Sequence, residues 1–371
     1  MLRACSQVCW SFREPSQALL FSRITLTSLR ITQLSNICSS DRLSAYVRVV
    51  AFTFPDWGLT VATVRGILSG LPNIRTLKFS PGARISHFMF AFVQLQPRMK
   101  IEHVDSGNHK EIPLELLRIF PDLNQLTLID ADISGLRGAI LPSQERNQPP
   151  ALRQKLKSLS GKDYAVRAGE RPLSYYLFSW LTQPNAFLDI SELQHLDWRW
   201  NPSNPWQWNT LPDFTQSVSR HLRSLVLYME STISHPPLES HHISLATFSS
   251  LRVLDFRLRF SMKVTVPEAI RQQNLILQII PTLPEPSDLK RIEVAIHIYP
   301  SDNDLIHQDS WRSLDSLLIQ ERYRHLSAVS ISLYFESLVT QRDVDFAERT
   351  KRMLASSLRQ MVIQERLYIR G

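Results

Sequence analysis

Apolar residues recur along this chain in one short frame, apolar-x-x-apolar-x-apolar. LPNIRTLKF places Ile74, Leu77 and Phe79 in it, FPDLNQLTL places Leu123, Leu126 and Leu128, and ISELQHLDW places Leu193, Leu196 and Trp198. HLRSLVL, FSSLRVLDF, DLKRIEV and HLSAVSI repeat it around Leu222, Leu251, Leu289 and Leu326. The closing two-residue step is the period of a strand, so those side chains share one face while the residues between them point to the other. Weaker frames begin at Val47, Ile101 and Leu156, and the ten anchors are then spaced 27, 27, 22, 33, 37, 29, 29, 38 and 37 residues apart. A single frame cannot bury its apolar side. Ten frames predict short strands laid side by side in parallel, with return segments covering the buried face.

Several returns carry helical spacing: 60–71 (TVATVRGILSGL), 266–280 (VPEAIRQQNLILQII) and 309–326 (DSWRSLDSLLIQERYRHL). Proline stands between helix and strand at Pro72, Pro121, Pro284 and Pro286, where the residue ahead of the ring disfavours helix. The expected fold class is therefore α/β: an irregular leucine-rich-repeat solenoid, a horseshoe with a parallel concave sheet and a helical convex side. Residues 1–40 read as a helical segment and linker, 41–340 as the solenoid with an insertion about 140–185, and 341–371 as a C-terminal cap of amphipathic helix and short strand.

Composition narrows the function. Hydrophobic residues make up 43% and charged ones 20%, with 17 Phe, 9 Tyr and 8 Trp, which fits an ordered protein with a large core. The formal charge of +8 raises nucleic acid or an acidic surface as partners. Basic residues nevertheless have acidic neighbours, as in Asp197/Arg199 and Asp255/Arg257, with no run of five like charges, and this argues against nucleic acid. Cys5, Cys9 and Cys38 all lie near the N-terminus and staple nothing downstream, which suggests an intracellular, cytoplasmic or nuclear setting. No run approaches the roughly 18 apolar residues of a membrane span, so no membrane partner is expected. Arg3, Arg13, Arg23 and Arg30 with Glu14 as the only acid also match an organellar presequence in outline.

Chemistry-bearing motifs are missing. The chain has no G-x-S-x-G, G-x-x-x-x-G-K-[ST], H-E-x-x-H or G-x-G-x-x-G, so no catalytic, cofactor or metal residue is assigned and the protein is not expected to be an enzyme. His235, His241 and His242 cluster in a loop without a frame that would orient metal ligands.

Binding candidates come from strand positions facing away from the core: Lys78, His195, Arg199, Tyr228, Arg257 and Arg291. Their mixed charge, with guanidinium and phenol groups, suits a protein partner on the concave face. Trp198, Trp200, Trp206 and Trp208 fall within eleven residues. Trp198 and Trp200 are expected in the core, while Trp206 and Trp208, in a Pro-bounded loop, either contact the partner or fold back on the sheet edge.

Residues 4–26, ACSQVCWSFREPSQALLFSRITL, add a resemblance. Cys5 to Cys9, Trp10 to Arg13, Pro15, Ser16, Leu20 and Phe21 resemble the C-terminal half of the F-box in fungal F-box proteins with irregular leucine-rich repeats, and 43–52, LSAYVRVVAF, is similar to the segment opening their repeat domain. The resemblance implies a substrate-recognition subunit of an SCF-type ubiquitin ligase if the F-box is completed. The Leu-Pro and acidic-apolar helices that dock on a Skp-type adaptor have no counterpart ahead of Ala4, so adaptor binding is in doubt. The alternative is a stand-alone leucine-rich-repeat scaffold without ligase recruitment.

Overall fold

The computed structural model describes residues 10–27, 31–53, 60–80, 85–95, 99–107, 112–129, 133–134, 153–162, 173–184, 186–199, 214–230, 244–260, 265–298, 306–335, 341–363 and 367–370. The architecture is mixed α/β, with parallel sheet and helices alternating along much of the chain. By packing it divides into two compact units, 1–190 and 191–371.

Among the described residues, the larger sheet of the first unit has six parallel strands in chain order: β1 (Arg23–Leu26), β2 (Val49–Phe52), β3 (Thr76–Phe79), β4 (His103–Gly107), β5 (Gln125–Ile129) and β6 (Ser158–Lys162). Its buried face is built on aromatics. Phe52 and Phe79 stack at 5.1 Å, and Phe92, from helix Ile85–Leu95, meets their edges at 5.9 and 6.1 Å and Phe120 at 6.0 Å. Such pairs add to the burial of the rings themselves. Helix Val61–Ser69 begins at Thr60, whose hydroxyl accepts from the Thr63 N–H at 3.1 Å and so satisfies one orphan donor of the first turn. Of the region where the apolar frame fades, 153–162 and 173–184 are described; they contain β6 and a helix, Leu173–Leu181, that buries Leu177, Phe178 and Trp180.

Among its described residues the second unit has six more parallel strands, again in chain order: β7 (His195–Arg199), β8 (Ser224–Glu230), β9 (Val253–Arg259), β10 (Arg291–Ile298), β11 (Ala328–Phe335) and β12 (Leu367–Arg370). Helix Val266–Ile279 starts where Glu268 accepts from the Thr265 N–H at 2.9 Å, with Pro267 in the first turn, where no donor is needed. Gln273 joins that helix to Gln308–Leu318 by accepting from the buried Trp311 indole N–H at 2.9 Å and from the His307 N–H at 3.0 Å. Asp315 accepts from the N–H groups of Gln360 and Met361, both at 2.9 Å, and so places a carboxylate at the start of the last short helix, Arg359–Ile363.

One geometry recurs at the strand starts. A single carbonyl accepts from two successive N–H groups of the next strand: Ser22 from Arg48 and Val49, Arg48 from Arg75 and Thr76, and Arg75 from Glu102 and His103. In the second unit Arg223 does the same for Arg252 and Val253, Arg252 for Lys290 and Arg291, and Lys290 for Ser327 and Ala328. All ten anchors, from Val47 to Leu326, are at most 1% exposed. Each of the two-residue steps that follow falls on a strand. The apolar side of the sheet is thus buried, as its period predicts, and the alternate side chains form an open face.

Candidate functional site

On the open face of the second unit, strand register arranges side chains in rows. Asp197 lies beside Val226, Asp255, Glu293, Ser330 and Tyr368 in turn. The next row along the strands runs Tyr228, Arg257, Ala295, Ser332. Arg199 precedes that row on β7, and its guanidinium sits 5.7 Å from the centre of the Tyr228 ring. Two strands therefore carry the same acid-x-arginine triplet, Asp197-Trp198-Arg199 and Asp255-Phe256-Arg257, with the aromatic residue between them buried.

These groups form one hydrogen-bonded chain across three strands. Arg257 donates from Nε to Asp255 Oδ2 at 3.0 Å and from Nη1 to the Tyr228 hydroxyl, while its guanidinium lies 5.0 Å from the Tyr228 ring centre. Tyr228 in turn is hydrogen-bonded to Asp197. Burial dominates the electrostatics. It holds the Asp255 carboxyl up to about 6 against the pull of Arg257, and raises Asp197 in the same way. Burial and the facing Asp197 carboxylate push the Tyr228 phenol up to about 12. Burial works against the charge on Arg257, but Asp255, Tyr228 and Asp197 together raise its affinity for its proton. Asp255 is only 7% exposed, and its Oδ1 has no hydrogen-bond partner.

Beyond Arg257 the face opens into a groove of about 670 Å³. Its floor is made of short side chains, Ala295, Ala328, Ser330 and Ser332. Tyr334, stacked on His297 at 4.6 Å, and Tyr368 line it with rings that are 50% and 51% exposed. Arg291, paired with Glu293 at 3.3 Å, also borders it.

The candidates read from the sequence are therefore distributed unevenly. Arg199, Tyr228 and Arg257 come together in one chain of contacts, and Arg291 lines the adjoining groove. His195 is exposed at the start of β7, outside that groove. Lys78 lies in the first unit, held to Asp105 at 2.5 Å. Trp206 and Trp208, Trp200, and the histidines at 235, 241 and 242 lie outside the described residues. Trp198 is fully buried.

His297, Tyr334, Tyr368 and the small floor residues were not anticipated. β10 and β11 are eight residues long, so the alternation continues past the frame used to find them. The signal was present in RIEVAIHI and AVSISLYF, which alternate to their ends.

Among the described residues no group of three or more His, Cys, Asp or Glu is placed to hold a metal, and no helix is long and apolar enough to cross a membrane. Comparison with protein-family models and with curated proteins finds no match.

Proposed function

We propose that this chain is a protein-binding module, a leucine-rich-repeat type of solenoid that engages its partner through the open face of residues 191–371. The observation that carries this reading is the groove lined by Tyr334, Tyr368 and Arg257, which offers half-exposed rings and a guanidinium above a floor of small side chains. Tyr and Arg are enriched where binding energy concentrates: Tyr buries large area with little loss of rotamer freedom, and the planar Arg fork makes several directed hydrogen bonds. Ten buried anchors, each leading into a parallel strand, support the solenoid reading.

Affinity capture on the tagged full chain tests it, with Tyr334→Ala/Tyr368→Ala as the disrupting variant and Lys78→Ala as the control. A protein retained by the wild type and the control but lost from the double variant supports the reading. Retention by all three contradicts it.

Recruitment to an SCF-type ubiquitin ligase is the part of the proposal that rests on the resemblance of residues 4–26. The helix Trp10–Phe21 leaves Leu19 62% and Leu20 39% exposed, an apolar surface that an adaptor would cover. Binding of the full chain to a purified Skp-type adaptor, abolished by Leu19→Glu, supports recruitment. Without adaptor binding the chain acts as a stand-alone scaffold.

A further inference from the structure

We infer that the groove over Ala295 takes an aromatic side chain of the partner. The inference rests on the reading of this face as the binding surface. The row that crosses the strands alternates cation and ring: Arg199, then Tyr228, then Arg257, with guanidinium-to-ring distances of 5.7 and 5.0 Å. Arg257 leans toward Tyr228 on β8. On β10, the strand at its other side, the row continues with the bare methyl group of Ala295, then with Ser332 on β11. The third acid-x-residue triplet, Glu293-Val294-Ala295, departs from the first two at this position, where Ala stands in place of Arg. The next side chain in the series is therefore absent, and the groove occupies its place.

Charge decides what fits there. The groove contains two carboxylates and two guanidinium groups that are already matched, Asp255 with Arg257 at 3.0 Å and Glu293 with Arg291 at 3.3 Å. A partner's carboxylate or guanidinium would compete with an ion pair at this site for its counter-charge. A neutral ring breaks neither pair. Lying on Ala295 and Ser332, it meets the guanidinium of Arg257 and continues the alternation, with Tyr334 and Tyr368 to receive its edges. Covering the groove also removes water from the Asp255–Arg257 pair, which strengthens it.

Ligand-observed NMR on the full chain tests the chemistry with four side-chain analogues: 3-methylindole, p-cresol, propylguanidinium and propionate. The expected result is saturation transfer to the two aromatic compounds, with dissociation constants on the order of millimolar for ligands of this size. Two variants fill the floor from different strands, Ala295→Met and Ser332→Met, and thermal melts establish that each is folded. Either folded variant should weaken aromatic binding about tenfold, a loss expected when a fitted pocket is obstructed.

Tighter binding of propylguanidinium or propionate, equal binding of the aromatics to the filled variants, or no aromatic binding overturns the inference. If that happens while the captured partner is still lost from Tyr334→Ala/Tyr368→Ala, only the aromatic occupant falls. If capture is also indifferent to those tyrosines, the binding-face reading falls with it.

Discussion

Both units present an open sheet face of the same construction, yet the two faces carry different side chains. In the first unit the described rows are short and matched to one another. Lys78 is held by Asp105, and the His103 ring bonds the Thr127 hydroxyl at 3.0 Å, which bonds Ser160 at 2.9 Å. Burial depresses the His103 pKa, which favours the neutral ring. In the second unit the open face carries Arg199, Tyr228, Asp255, Arg257, His297 and Tyr334, and leaves a groove beside them.

Charge is divided just as unevenly. Residues 1–190 carry 22 Lys and Arg against 14 Asp and Glu, whereas 191–371 carry 20 of each. The whole formal excess of +8 thus belongs to the first unit. A repeat sets which side chains face outward. Their size and pairing set whether that face is closed on itself or open to a partner.

The contrast is broken most severely by removing the frame beneath the second face. Trp311→Ala deletes a buried ring that also donates to Gln273 and is expected to cost about 3–5 kcal/mol. Urea denaturation reads the loss, and hydrogen exchange should rise in 266–279 and 308–318; a change below about 1 kcal/mol would mean the ring is not part of the core.

Binding comes next. Arg257→Ala and Tyr334→Ala are each expected to weaken the captured partner by about 2 kcal/mol, and Lys78→Ala by less than about 0.5, as isothermal titration measures. Equal losses at all three would erase the distinction between the faces.

A pH experiment isolates Asp255. Its carboxyl stays protonated in the folded chain up to about pH 6, above its ordinary range, so the stabilisation it contributes is complete below about pH 4 and is lost as pH rises through 6. Wild-type stability should therefore fall relative to Asp255→Asn across that interval, by on the order of 1–2 kcal/mol. Parallel curves would show that this carboxyl is not held neutral.

The smallest effect is expected for Asp105→Asn, which removes a partly exposed ion pair with Lys78 and should cost no more than about 1 kcal/mol of stability.

Much of the fold was legible because period two and the three-residue step into it are local properties of the chain. Val47, Ile101 and Leu156, the weakest frames, are as fully buried as Leu251. Strand length was less legible, since the frame ends at Val294 and Ile331 while β10 and β11 run on to Ile298 and Phe335.

The site was only half visible for a related reason. Alternation tells which face a side chain occupies, and so identified Arg199, Tyr228, Arg257 and Arg291. It does not tell depth, and Asp255 proves nearly buried on the open side. Nor does it reveal neighbours across strands: Tyr368 stands 38 residues after Ser330 in sequence and directly beside it in register. Helix Leu173–Leu181 escaped notice because its apolar residues are too dense to show a helical stripe.

Oxidative footprinting of the full chain, with and without the partner obtained by capture, tests the central claim most directly. Binding through the open face of the second unit predicts that oxidation of His297, Tyr334 and Tyr368 falls when the partner is added, while that of Tyr46 and His103 in the first unit does not change. Protection of Tyr46 and His103, with Tyr334 and Tyr368 oxidised as before, would contradict it.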